Sequence, residues 1–143
     1  MMSESDEAIL AAVKAHLPQL EGLLEAMNRD YEDGLYRFYH QSFKVYSLQA
    51  HTTRAAVLIR AIAGEAGRQT DPWFEAIVAE GTGIEFDASH NAEWPRHTRP
   101  QVEAFLHARY FVEMMVKYGR ELDAAPTLLP SGWAAVLSLF GLR

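Results

Sequence analysis

Between Gly34 and Gly64 the chain carries no acidic residue, although the net charge of its 143 residues is −6. Its apolar residues there recur at three- and four-residue steps, which is the period of a helix. Phe38, Val45, Thr52, Ala56, Ile59 and Ala63 share one face, and Leu35, Tyr39, Tyr46 and Val57 widen it. Arg37, Gln41, Lys44, Ser47, His51 and Arg54 fall opposite. The pattern predicts an amphipathic helix with a broad apolar side. It is expected to start within "NRDYEDG", capped by Asp30 or Asp33, and to stop at Gly64 or Gly67. A helix of about 30 residues is about 45 Å long. A compact domain of this size is roughly 37 Å across. So long a helix must bend, lengthen the fold, or overhang onto a second chain.

The rest of the chain divides at its prolines and glycines. Ser5 and Asp6 are candidate caps for a first helix whose apolar face is Ile9, Leu10, Val13 and Leu17. Pro18 interrupts that helix or opens another, and Leu20, Leu23, Leu24 and Met27 continue the stripe to about Asn28. "TDPWFEAIVAEGTG" predicts a short helix capped by Thr70 or Asp71, opened by Pro72 and closed by Gly81. Residues 84–99 show no period and are expected to be a long loop. Pro100 is expected to open the next helix, with Val102, Phe105, Leu106, Tyr110, Val112, Met115 and Val116 as its apolar positions and an end near Tyr118–Leu122. A last helix, "SGWAAVLSLFGLR", is expected to be capped by Ser131 and to bury Trp133, Val136, Leu137 and Phe140. The expected fold is therefore all-α: residues 1–143 as one domain, an irregular bundle of four to five helices around one long central helix, with residues 1–5 frayed.

Composition narrows the function classes. Charge is uneven: Met1 to Asp33 holds eight acids and two bases, Gly34 to Gly64 no acids and four bases, and Glu65 to Arg143 eleven acids and seven bases. A basic block between acidic ones favours internal pairing, and the overall acidity argues against nucleic acid as a partner. There is no cysteine, hence no disulfide framework and no thiol nucleophile. The acidic start "MMSESDEAIL" does not read as a secretory signal, and no apolar run approaches the roughly 20 residues of a membrane span. A cytoplasmic location and no membrane partner are expected.

Motifs for chemistry are sparse. No serine sits in a Gly-x-Ser-x-Gly elbow. "GTG" at Gly81–Gly83 lacks the remainder of a phosphate loop. Glu103 and His107 share a helix face, but not with the Glu-x-x-His spacing of a di-iron bundle, so no metal and no cofactor are expected. The best candidate is an anion site. Arg96, His97 and Arg99 cluster beside Trp94 and just before Pro100, where a helix N-terminus would offer free N–H groups and a positive dipole end. Tyr36 and His40 on the long helix could complete a pocket with this loop.

Three stretches, "YRFYHQSFKVYSLQ", "TRPQVEAFLHARYFVEMM" and "LPSGWAAVLSLFGLR", resemble a group of small bacterial helical proteins of unknown function, over Tyr31 to Arg143. The resemblance implies a bacterial origin and carries no activity or site residue with it.

Two functions follow as expectations. The first is a non-enzymatic interaction protein that self-associates through the long helix or the C-terminal segment, a homo-oligomer. The second is a binding or enzymatic bundle taking a small anion or carboxylate between the long helix and residues 90–99. They differ in what the surface should show: an exposed apolar patch for the first, convergence of Tyr36, His40, Arg96, His97 and Arg99 for the second.

Overall fold

The computed structural model describes residues 3–37, 43–82, 94–123 and 130–142, and the side chains of 3–30, 48–82, 100–123 and 130–142. Within them the chain is all-α. Six helices are present: α1 (Glu4–Ala15), α2 (Leu17–Arg37), α3 (Phe43–Glu65), α4 (Pro72–Thr82), α5 (Trp94–Glu121) and α6 (Ser131–Ser138). α3 and α5 lie at the centre. α1, α2 and α4 pack on both, and α6 packs on α5.

α1 starts earlier than its expected caps. Ser3 adopts an extended backbone and its Oγ accepts from the Asp6 N–H at 3.0 Å, so residues 4 and 5 are helical rather than frayed. Glu4, Asp6 and Glu7 then sit in the first turn, where carboxylates favour the helix dipole. Ile9, Leu10, Ala12 and Val13 are buried. His16 makes the corner into α2, and Pro18 falls in the first turn of α2, where its missing N–H costs nothing. At the other end of the bundle's edge, Lys14 Nζ donates to the Gly119 carbonyl at 2.9 Å and ties α1 to the end of α5.

The largest departure concerns the expected central helix. No helix begins within "NRDYEDG"; α2 runs through these residues to Arg37. Mid-helix Asp and Gly residues cost about 1 kcal/mol or less each. Packing offsets that, since Leu20, Leu23 and Met27 are buried on α2, while Leu48, Ala55, Ala56, Ile59 and Ile62 are buried on α3. Gly22 and Leu23 lie beside Val57 and Leu58, and Asp30 beside His51, so α2 and α3 run antiparallel. The expected long helix is thus divided between two helices, and α5 is the longest, with 28 residues. Phe38, Tyr39, Val45 and Tyr46 lie outside the described side chains. Thr52, Ala56, Ile59 and Ala63 are buried as expected, but Val57 is 56% exposed and His51, placed on the polar face by the pattern, is buried.

α3 and α6 end alike. Arg68 N–H bonds back to the Ala63 carbonyl at 2.8 Å across Gly67, and Leu142 N–H to the Leu137 carbonyl at 3.1 Å across Gly141. Both glycines have positive φ, 71° and 74°, the left-handed stop that favours glycine. α4 starts as expected: Asp71 Oδ1 accepts from the Trp73 N–H at 3.0 Å, with Pro72 in the first position. Gly81 does not close α4, which continues to Thr82. A Cβ on Gly81 would stand 2.2 Å from the Ala104 Cβ, so this glycine lets α4 cross against α5.

α5 begins at Trp94, not at Pro100, which lies inside the helix. Residues 94–99 are therefore helical, and the expected loop is shortened at this end. An interior proline lacks one helical N–H and costs about 3 kcal/mol. The buried side chains directly after it, Gln101, Ala104 and Phe105, supply compensating packing. α6 is capped by Pro130 with Ser131 as its first residue, and no side chain caps it. Trp133, Val136, Leu137 and Phe140 are all buried, as expected.

Candidate functional site

The structure redistributes the residues expected to form an anion pocket. Trp94, Arg96, His97 and Arg99 fall on the first two turns of α5 instead of a loop ahead of it. The helix N-terminus has moved away from Pro100, and with it the free N–H groups that the expectation placed there. Tyr36 falls in the last turn of α2. The side chains of these five residues, and His40 altogether, lie outside the described residues. Glu103 and His107 lie on one face of α5, and His107 Nδ1 lies 2.8 Å from the Glu103 backbone carbonyl. Among the described residues no three His, Asp or Glu side chains gather as metal ligands, and no helix is long and apolar enough to cross a membrane.

The closest ionisable pair in the interior among the described residues was not marked by the sequence. His51 Nε2 lies 2.5 Å from Asp30 Oδ2, joining α3 to α2. The His51 side chain is 9% exposed and its ring lies 6.4 Å from that of Phe105 on α5. With Nε2–H donating to the carboxylate, a neutral ring leaves Nδ1 as an acceptor, and Nδ1 is buried without a hydrogen-bond partner. A carboxylate fixing one ring nitrogen and a free second nitrogen are features of proton-transferring and metal-binding histidines. Here no cavity and no further ligand reaches Nδ1 among the described residues. The pair's present work is to fix α2 against α3.

Three surface features surround this frame. The first is an apolar patch where α4 meets α5. Trp73, Leu106 and Tyr110 are 38%, 37% and 43% exposed. Trp73 and Tyr110 both pack against Phe111, tilted and edge-on, at 5.7 and 5.5 Å between ring centroids. Leu106 and Tyr110 were expected to be buried; they lie instead on the outer face of α5, one turn apart, while Phe105, Val112 and Met115 fill the inner face.

The second is an open groove of about 450 Å³ between α2 and α3, lined by Gln19, Gly22 and Leu23 on one side and Thr53, Arg54, Val57 and Leu58 on the other. The third is the α3–α4 turn. Arg60 makes a two-pronged ion pair with Glu75, at 3.0 and 2.6 Å, and the Thr70 hydroxyl donates to the same carboxylate. The Arg60 guanidinium holds the Glu75 carboxyl below its ordinary range, and Thr70 adds to the shift. Arg68 Nε donates to the Phe140 carbonyl at 2.8 Å and Asp71 N–H to the Leu139 carbonyl at 2.7 Å, so this turn also clamps the C-terminal segment.

Comparison with known proteins returns no match among family models, curated proteins or solved structures.

Proposed function

We propose that this is a non-enzymatic interaction protein that self-associates through the outer face of α5. The observation that carries the reading is the exposed patch of Trp73, Leu106 and Tyr110. Tryptophan and tyrosine are enriched among residues that dominate interface energetics. The same face is self-complementary. Glu103, Leu106, His107, Tyr110, Glu113 and Lys117 are all exposed and recur along it at helical spacing. An antiparallel two-fold pair centred on Tyr110 brings the two copies of Tyr110 together with the exposed Leu106 beside them. It also sets His107 against Glu113 of the partner subunit, and Glu103 against Lys117 of the partner subunit. Apolar meets apolar and acid meets base, as an isologous interface requires. The absence of cysteine suits a reducing compartment, and the cytoplasm is taken as its location.

Light scattering on a sizing column tests this. The wild-type mass should approach twice that of a 16.1 kDa chain as concentration rises. Leu106→Glu with Tyr110→Glu should give a monomer with an unchanged helical spectrum. A monomeric wild type at every concentration, or an oligomer that survives both substitutions, contradicts the reading.

A further inference from the structure

The groove between α2 and α3 uses none of the self-association residues. Its floor is Leu23, which is buried; Leu58 is half-buried and Val57 is 56% exposed. Gly22 lines it with no side chain, and a Cβ built there would meet nothing within 4 Å. A glycine in the middle of an exposed helix costs about 1 kcal/mol against alanine. No close helix crossing explains this one, in contrast to Gly81.

The lining is mostly hydrocarbon, with Arg54 as its only charge. Arg29, Arg60, Arg68, Arg109 and Arg120 each donate to a carboxylate, amide or carbonyl oxygen. Arg54 is exposed, and its side chain makes no hydrogen bond or ion pair among the described residues. The acids nearest Gly22 on α2 are already engaged, Glu21 with Arg120 and Glu25 with Arg29. A cation with no counter-ion among the described residues thus borders an apolar trough of about 450 Å³, within the roughly 300–1,000 Å³ of small-molecule sites.

We propose that this groove binds a small amphipathic carboxylate. Its hydrocarbon tail lies along Leu23, Val57 and Leu58, and its head takes paired, charge-assisted hydrogen bonds from the Arg54 guanidinium. One cation balances one negative charge. A doubly charged phosphate would leave excess charge on a protein that is already acidic, so a carboxylate fits better than a phosphate.

Octanoate is the probe, with octanol as the tail without the charge and inorganic phosphate as a charge without the tail. Backbone amide shifts are followed by NMR. Octanoate should shift the amides of residues 19–23 and 53–58 and saturate near or below about 1 mM. Octanol should bind at least about tenfold more weakly, and phosphate should not saturate. Arg54→Gln should bring octanoate down to the affinity of octanol. Gly22→Leu fills the trough and should weaken both tails at least about tenfold. Leucine is a better helix former than glycine, so that variant should melt no lower than wild type. Unsaturated shifts at about 10 mM octanoate overturn the proposal. So do equal affinities for octanol and octanoate, phosphate binding as tightly as octanoate, or an unchanged response in Gly22→Leu.

Discussion

Gly81→Ala should destabilise the protein although alanine is the better helix former. The added Cβ would stand 2.2 Å from the Ala104 Cβ and 3.3 Å from the Pro100 carbonyl oxygen. Carbon atoms in contact rest about 3.5–4.0 Å apart. Neither obstacle can turn aside, because one is an alanine methyl and the other is backbone. α4 and α5 must therefore separate by more than about 1 Å. Overpacking of this kind costs about 1–3 kcal/mol, and rigid neighbours place this site at the upper end. The gain in helix propensity returns about 1 kcal/mol. The net loss should be about 2 kcal/mol, seen as a lower urea midpoint with an unchanged slope. For a chain of this size it lowers Tm by roughly 4–8 °C. Adding Ala104→Gly to the variant moves the methyl group from one helix to the other. It should recover at least about 1 kcal/mol as coupling in a double-mutant cycle. A Gly81→Ala protein as stable as wild type would refute the close crossing of α4 and α5.

Asp30→Ala leaves the buried His51 ring without its carboxylate and should cost about 1–3 kcal/mol in urea denaturation; a loss under about 0.5 kcal/mol would show that the pair does not hold α2 to α3. Glu75 has its carboxyl lowered by Arg60, so its contribution is fully present above the ordinary value of 4.5 and is lost as pH falls through the lower folded value. Glu75→Gln should therefore flatten the fall of Tm with acid, and an acid limb as steep as that of wild type would count against the ion pair. Trp133→Ala empties a fully buried site beside Tyr118 and should cost about 3–5 kcal/mol by urea denaturation, whereas a loss under about 1 kcal/mol would mean that α6 is not docked.

The all-α class was legible because periodicity is a local signal that packing preserves. α4 and α6 came out near their expected bounds, α4 because Asp71 and Pro72 open it and α6 because Pro130 precedes it and Gly141 follows it. The failures have a common cause. Asp30 was read as a cap and Pro100 as a helix start, each from its local preference, and each lies inside a helix that tertiary contacts sustain. Gly81 read as a stop for the same reason, although its role is set by Ala104 on another helix. His51 could have been placed better. It lies three residues after Leu48 and four before Ala55, both buried, so helical spacing puts it on the inner face. Its partnership with Asp30 carried no sequence signal, since the two are 21 residues apart. Leu106 and Tyr110 were apolar by type and outward by register, and composition alone cannot separate a core residue from a sticky surface one. The groove has no motif: Gly22 brings no side chain to it, and Arg54 on its rim has no counter-ion among the described residues.

Self-association through an antiparallel α5 pair is tested most directly by a distance between copies. The chain has no cysteine, so Glu121→Cys supplies a single attachment point for a spin label, on the last residue of α5. Position 121 lies eleven residues beyond Tyr110, and a rise of 1.5 Å per residue separates the two labels by about 33 Å along the helix axes. Adding an interaxial distance of about 8–10 Å at right angles gives roughly 35 Å between the two backbones. Pulsed electron–electron resonance should show a distribution centred near that separation. It should disappear when Leu106→Glu and Tyr110→Glu are added. No dipolar signal at concentrations where the mass is dimeric, or a separation under about 15 Å as a parallel pair would give, would contradict the account.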